Sequence, residues 1–179
     1  MTILRIHLAD QVLVLLDDEG KASRRYRVST AQNGGGEQSG SFCTPRGWHR
    51  VRAKIGAGAP VNTVFVGRRP TGEVYTPELG VRYPERDWIL TRILWLSGCE
   101  KGFNRLGSVD TFRRYIYIHG SPDDATLGQP GSHGCIRMSN RDVVELFDRV
   151  PVGAPVEILE VSEDSFLALG CGGAANIPF

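Results

Sequence analysis

The chain has 179 residues, enough to fill one core and too few for two ordinary domains. Its 41% apolar and 23% charged residues are those of a globular protein, and a net charge of +1 leaves no footprint for nucleic acid or an anionic membrane. No stretch approaches the ~20 apolar residues of a membrane span, and the 22 glycines and 10 prolines call for many turns, which favours a strand-rich fold.

Residues 3–8 alternate as a strand does, Ala9-Asp10-Gln11 is a turn, and Val12 to Leu16 is a second strand. Asp17 to Gly20 is a turn signal, and Ser23 to Ser29 reads as a third strand. The glycines of 33–40 cannot pack a core and predict a surface loop. Thr44-Pro45-Arg46-Gly47-Trp48 leads into a strand over Val51–Ile55, and Val61–Val66 is short and apolar. Arg68–Arg86, rich in Pro, Gly and charge, predicts a long ordered excursion of the kind that often carries function. Trp88–Leu96 reads as a central strand. Arg113–Ile118 reads as a strand ending at His119-Gly120, with Ile116 and Ile118 on one face and Tyr115 and Tyr117 on the other. Ser121–Gly131 is loop. Asn140–Val150 is the one predicted helix: Val143, Phe147 and Val150 make an apolar stripe, Ser139 or Asn140 caps it, Asp142 suits its first turn, and Pro151 stops it. Pro155–Val161 closes the fold. The pattern predicts one mainly β domain over 1–161, a mixed sheet or sandwich, and a tail over 162–179 along which Phe166, Leu167 and Leu169 could dock.

Cys43, Cys99, Cys135 and Cys171 show neither CxxC pairing nor disulfide-rich spacing, and the first two read as reduced and partly buried, Cys171 as exposed. Arg5, His7 and Asp10 interrupt any leader-like apolar run. Met1 as the native start therefore predicts a cytoplasmic protein, and a leader removed before it predicts a periplasmic one.

Chemistry concentrates in Ser132-His133-Gly134-Cys135-Ile136-Arg137 and in His119. Cysteine attacks as thiolate and needs a base or a positive charge nearby. A histidine titrating near neutrality can take that proton and return it to a leaving amine. Gly134 permits unusual dihedrals, and N–H groups around Gly134 and Cys135 could form an oxyanion hole. Ser132 reads as a turn hydroxyl or a substrate contact, and Tyr117 as sheet packing that could face a cleft. Arg137 reads as a clamp for a substrate carboxylate or as the partner of Asp142 or Glu145. His7 and His49 have no partner legible in the sequence. His119, His133, Cys135 and Cys99 could be weighed as zinc ligands, but HExxH and paired CxxC are missing, so no metal and no cofactor are expected.

The arrangement His119-Gly120, a loop, then Ser132-His133-Gly134-Cys135 resembles the L,D-transpeptidase catalytic domain, the YkuD or ErfK/YbiS/YcfS/YnhG family. The similarity extends to the opening meander, Thr44-Pro45-x-Gly47, and Tyr115–Gly120. Where many members carry Asn two residues after the cysteine, this chain has Arg137, as many Gram-negative members do. The resemblance implies that Cys135 attacks the third residue of a peptidoglycan stem peptide, usually meso-diaminopimelate, and expels D-Ala. It implies His119 as base, the Gly120 carbonyl as its orienter, His133 and Gly134 at the oxyanion site, and carbapenems as acylating agents. An amine acceptor would make the enzyme an L,D-transpeptidase that crosslinks wall or attaches protein to it. Water would make it an L,D-carboxypeptidase acting on muropeptides, which a cytoplasmic location favours. A non-catalytic wall-binding domain is the competing class, and the intact His119 and Cys135 argue against it.

Overall fold

The computed structural model describes residues 2–170; the expectation for Cys171 falls outside them. Ten strands form one mixed, mostly antiparallel sheet: β1 (Ile3–His7), β2 (Val12–Leu16), β3 (Ala22–Arg27), β4 (Gly47–Ile55), β5 (Thr63–Val66), β6 (Arg69–Val74), β7 (Ile89–Gly98), β8 (Tyr117–Ser121), β9 (Ile136–Ser139) and β10 (Pro155–Leu159). Among the described residues three α-helices accompany them: α1 (Pro77–Arg82), α2 (Asn140–Arg149) and α3 (Glu163–Ala168). The main path runs β3-β2-β1-β10-β4-β7-β5-β6, with β8 joined to β7 and β9 to β8. Among the strands of the described residues, only the pairs β1–β10 and β8–β9 are parallel. β7 is central as its sequence predicts, pairing with β4, β5 and β8.

The core gathers one face of this sheet under α2. Leu4, Ile6, Leu13, Val51, Leu94, Leu96, Ile118, Ile136, Met138, Val156 and Ile158 are buried with Val143, Leu146 and Phe147 of α2. The helix forms where its stripe and cap predict, with Ser139 Oγ accepting the Asp142 N–H at 3.1 Å. It is not the only helix. Thr76 caps α1 with Pro77 at its first turn, and Ser162 caps α3 ahead of Glu163 and Asp164. The end expected as tail therefore begins with a helix whose Phe166 is buried, while Leu167 and Leu169 stay exposed. Part of the excursion over 68–86 is β6, which closes a two-residue hairpin with β5. Among the described residues no helix is long and apolar enough to cross a membrane.

The strand expected over 113–118 is displaced. Asp110 accepts the Arg113 N–H at 3.0 Å and the Leu106 N–H at 2.7 Å, Arg114 N–H bonds the Asp110 carbonyl, and Tyr115 takes a left-handed φ of 57°. Residues 111–115 are thus a turn, and β8 starts at Tyr117 and runs through His119 to Ser121. His7 and His49 also have partners. His7 Nδ1 faces the Val161 carbonyl at 3.0 Å; His49 Nδ1 faces the Gly47 carbonyl at 3.0 Å and its Nε2 the Thr111 hydroxyl at 3.1 Å.

Candidate active site

β8 and β9 run parallel in a register that pairs Ile118 with Ile136 and His119 with Arg137. Alternation along each strand sorts their side chains. Ile118, Ile136 and Met138 enter the main core; Tyr117 and Cys135 lie on the other face, against Phe65, Ile93 and Trp95. Cys135 stands one residue before β9, two positions along this ladder from the His119–Arg137 pair, and alternation puts it on the same face as His119. β9 itself was not legible as a strand before the structure, although Ile136-Arg137-Met138-Ser139 alternates apolar and polar. It is what brings the cysteine to the histidine.

His119 is fully buried, and its Nδ1 lies 2.7 Å from the Gly120 carbonyl. A carbonyl only accepts, so Nδ1 carries the hydrogen and the neutral ring offers its lone pair at Nε2. That Nε2 is buried with no hydrogen-bond partner among the described residues. The Gly120 backbone is closely packed. A Cβ at Gly120 would come within 2.6 Å of Asn140 Oδ1 and 2.7 Å of the Leu90 carbonyl, so no larger residue fits. Asn140 accepts from the Thr91 hydroxyl and donates to Asn62 Oδ1 (2.8 Å) and Asp123 Oδ1 (3.2 Å). Thr91 has φ 73° at the β7 bulge, a conformation that this network holds.

The turn before Cys135 is built on Ser132. Its hydroxyl donates to the Cys135 carbonyl at 2.5 Å and accepts the Gly134 N–H at 3.2 Å, so this buried side chain serves the turn. Gly134 has φ 127°, and a Cβ there would meet Ile116 at 3.1 Å and the Cys43 carbonyl at 3.2 Å. The Thr44 hydroxyl donates to the Gly134 carbonyl at 3.0 Å, which gives the Thr44-Pro45 element its place. Arg114 spans the same loop, donating to the carbonyls of Gly36, Glu37 and Cys43. The Cys135 sulfur accepts the Tyr117 N–H at 3.3 Å and its thiol donates to the Tyr115 carbonyl at 3.4 Å.

A Cys–His pair on one face of a parallel ladder, behind an S-H-G-C turn, is the pattern that the family match covers. The description "L,D-transpeptidase catalytic domain" (YkuD) fits residues 1–158. The chain belongs to the YkuD family of L,D-transpeptidase catalytic domains. It is 30% identical over 111 residues to "Probable L,D-transpeptidase YbiS" of Escherichia coli K12, covering 60% of this chain and 35% of that protein. It is 46% identical over 46 residues to "Putative L,D-transpeptidase YkuD" of Bacillus subtilis, covering 26% of this chain and 28% of the other. The chain thus spans about a third of the length of these relatives. In fold it resembles an L,D-transpeptidase from Mycobacterium smegmatis (TM-score 0.53, 20% identity, 88% of this chain and 58% of that one). It also resembles the LD transpeptidase LdtMt1 solved in complex with imipenem (TM-score 0.54, 20% identity, the same coverage).

The YkuD-family site rests in a neutral state. Burial pushes the Cys135 thiol up to about 12, against the Tyr117 N–H that favours the thiolate. Burial likewise holds the His119 imidazole below its ordinary value, opposed by Asp87 and the Gly120 carbonyl. Asp87 and Arg137 act on both groups with opposite signs. Arg137 pairs with neither Asp142 nor Glu145: it donates to Asp87 at 2.8 Å and to the Gly131 carbonyl at 3.1 Å. Glu145 is taken by Arg24 and Arg149. Arg137, Asp87 and His133 border a cleft of about 740 Å³ between segments 75–88 and 121–125. A second cavity of about 350 Å³ lies beside Phe42 and His133, whose rings meet edge-on. His133 is exposed, and Tyr117 is buried with its hydroxyl accepting from Arg68 at 3.0 Å. Cys43, Cys99 and Cys135 are free thiols, and among the described residues no three His, Cys, Asp or Glu side chains cluster to hold a metal. Asp87, Thr91, Asn140, Arg68 and Arg114 escaped the sequence reading because each acts through a contact distant in sequence.

Proposed function

We propose that the chain catalyses acyl transfer on peptidoglycan stem peptides through a Cys135 thioester. The observation that carries this reading is the His119 ring: Nδ1 held on the Gly120 carbonyl, Nε2 buried and unpartnered among the described residues, and the cysteine on the same face two ladder positions away. From this neutral pair the thiol proton passes to Nε2 as sulfur attacks the carbonyl carbon of the third stem residue. The Gly134 N–H already serves Ser132, so the backbone donors for the oxyanion come from His133 and Cys135. Collapse breaks the L,D amide, the proton on His119 moves to the leaving amine, and D-Ala departs. An incoming amine or water then attacks the thioester, gives its proton to Nε2, and restores the thiol. The first acceptor yields a crosslink or a wall-attached protein, the second a tripeptide.

The decisive experiment mixes the protein with a disaccharide-tetrapeptide, alone and with an amine acceptor, and reads products by mass. Loss of the terminal D-Ala alone marks carboxypeptidase activity, and an amine adduct marks transpeptidation. Cys135→Ala should abolish both with an unchanged Tm. Turnover by the folded variant, or none by the parent, sinks the mechanism. The same Cys135→Ala change should abolish covalent labelling by imipenem, the compound bound in the LdtMt1 structure.

A further inference from the structure

Two arginines near the Cys135 turn differ in one respect. Arg137 is matched by Asp87. Arg68 has no acidic partner among the described residues, yet it is held firmly in place. Its guanidinium lies over the Trp95 ring at 4.6 Å and the Tyr115 ring at 4.8 Å and donates to the Tyr117 hydroxyl at 3.0 Å. Both tyrosines touch the nucleophile through their backbones, Tyr117 by its N–H and Tyr115 by its carbonyl. Tyr115 is also 53% exposed, so this aromatic and cationic patch opens to solvent beside the sulfur.

The hairpin that presents Arg68 is built unusually. Val66 pairs with Arg69, leaving Gly67 and Arg68 as a two-residue loop with φ of 55° and 66°. The second place of such a turn is ordinarily Gly or Asn, which accept a left-handed φ at low cost. Here an arginine holds it, and its side chain turns back over Trp95. A planar guanidinium with a stacked face and free edge donors fits a carboxylate bidentately.

We propose that Arg68, stacked on Trp95 and Tyr115, is a specificity residue that binds a free carboxylate of the peptide acyl donor. This rests on the acyl-transfer reading of Cys135. The shared chemistry is a carboxylate, and a tetrapeptide L-Ala-γ-D-Glu-diaminopimelate-D-Ala offers it at three places: the chain terminus, the diaminopimelate side chain and the D-Glu α-carbon.

The test measures binding by titration calorimetry to the Cys135→Ala chain, so that it is independent of turnover. Four peptides serve as probes: the free acid and three versions, each with one carboxylate converted to the amide. One amide should weaken binding about tenfold to a hundredfold, and that peptide names the carboxylate. Arg68→Met should weaken the free acid by a similar factor and cause no further loss with that amide; Arg68→Lys should restore part of the affinity. Three amides that all bind like the free acid overturn the proposal whether or not the Arg68 variants fold. So do an Arg68→Met loss that is the same for every peptide and an absence of measurable binding by the free acid. Peptide binding with this pattern but no turnover by the parent would refute the acyl-transfer reading instead.

Discussion

At Cys135 and His119 two effects compete. Burial favours the uncharged thiol and the uncharged imidazole, while the Tyr117 N–H and the Gly120 carbonyl favour their ions. Burial prevails, so under the proposed mechanism the proton leaves sulfur only as the new bond forms. Asp87 and Arg137 adjust this balance from the cleft edge. Asp87 disfavours the thiolate and Arg137 favours it. Asp87→Asn should therefore shift the pH profile of Cys135 alkylation by iodoacetamide to lower pH, and Arg137→Met should shift it to higher pH. Asp87 is 43% exposed at its side chain, so both shifts should shrink as salt is raised. An ion pair this exposed contributes about 0–1 kcal/mol, and Tm should change by no more than a few degrees in either variant. Profiles that superimpose with the parent's would remove both residues from the electrostatics of Cys135. A large fall in Tm for Arg137→Met would instead make its contact with Asp87 and Gly131 structural.

The elements place these residues, and they were unequally legible. α2 was readable because its stripe, its Ser139 cap and Pro151 agree. β7 was readable because its run is long and apolar. The turn at 111–115 was hidden because the aromatic and aliphatic run Tyr115–Ile118 mimics a strand, whereas Asp110 captures the local N–H groups and Tyr115 turns left-handed. Thr76-Pro77 and Ser162-x-x-Ser165 were cap signals, obscured by Gly80 and Pro84 in one case and by the short helix in the other. Cys135 and His119 stood out by residue type, but the ladder that joins them depends on β9. Asn140 shows what sequence spacing conceals. It opens α2, yet its side chain leaves the helix to hold Thr91 and pack beside the Gly120 backbone. Asn140→Ala would strip the Thr91 hydroxyl and Asn62 of a buried partner, at a cost of about 1–3 kcal/mol. It should lower Tm by several degrees and also reduce kcat, because the His119 anchor loosens. A normal kcat in the folded variant would show that the Gly120 carbonyl holds the ring without Asn140.

At the scale of the whole molecule, one buried histidine links the sheet to the turn beside Cys135. His49 lies on β4, opposite Val156 of β10 and Gly98 of β7, and it faces Thr111, which begins the turn that delivers the Tyr115 carbonyl to Cys135. Burial pushes its pKa down to about 4. In the unfolded chain a histidine takes its proton near 6.5, so between these values the unfolded state binds the extra proton and gains stability relative to the fold. Above about 6.5 the fold carries no such penalty. The penalty grows as pH falls through 5 and is complete below 4, where it reaches about 3 kcal/mol. His119, held low by burial as well, adds to the same slope. Melting temperature should therefore fall between pH 7 and pH 4. His49→Gln keeps a polar side chain without a titrating ring, and it should flatten that fall even if it lowers Tm at pH 7. Glu37, whose pKa lies below its ordinary value beside Arg46, is protonated only at more acid pH and leaves the upper part of this window to the histidines. An unchanged slope in His49→Gln would assign the acid sensitivity to His119 and the carboxylates. In that case activity and stability should be lost together on acidification, because the same ring would govern both.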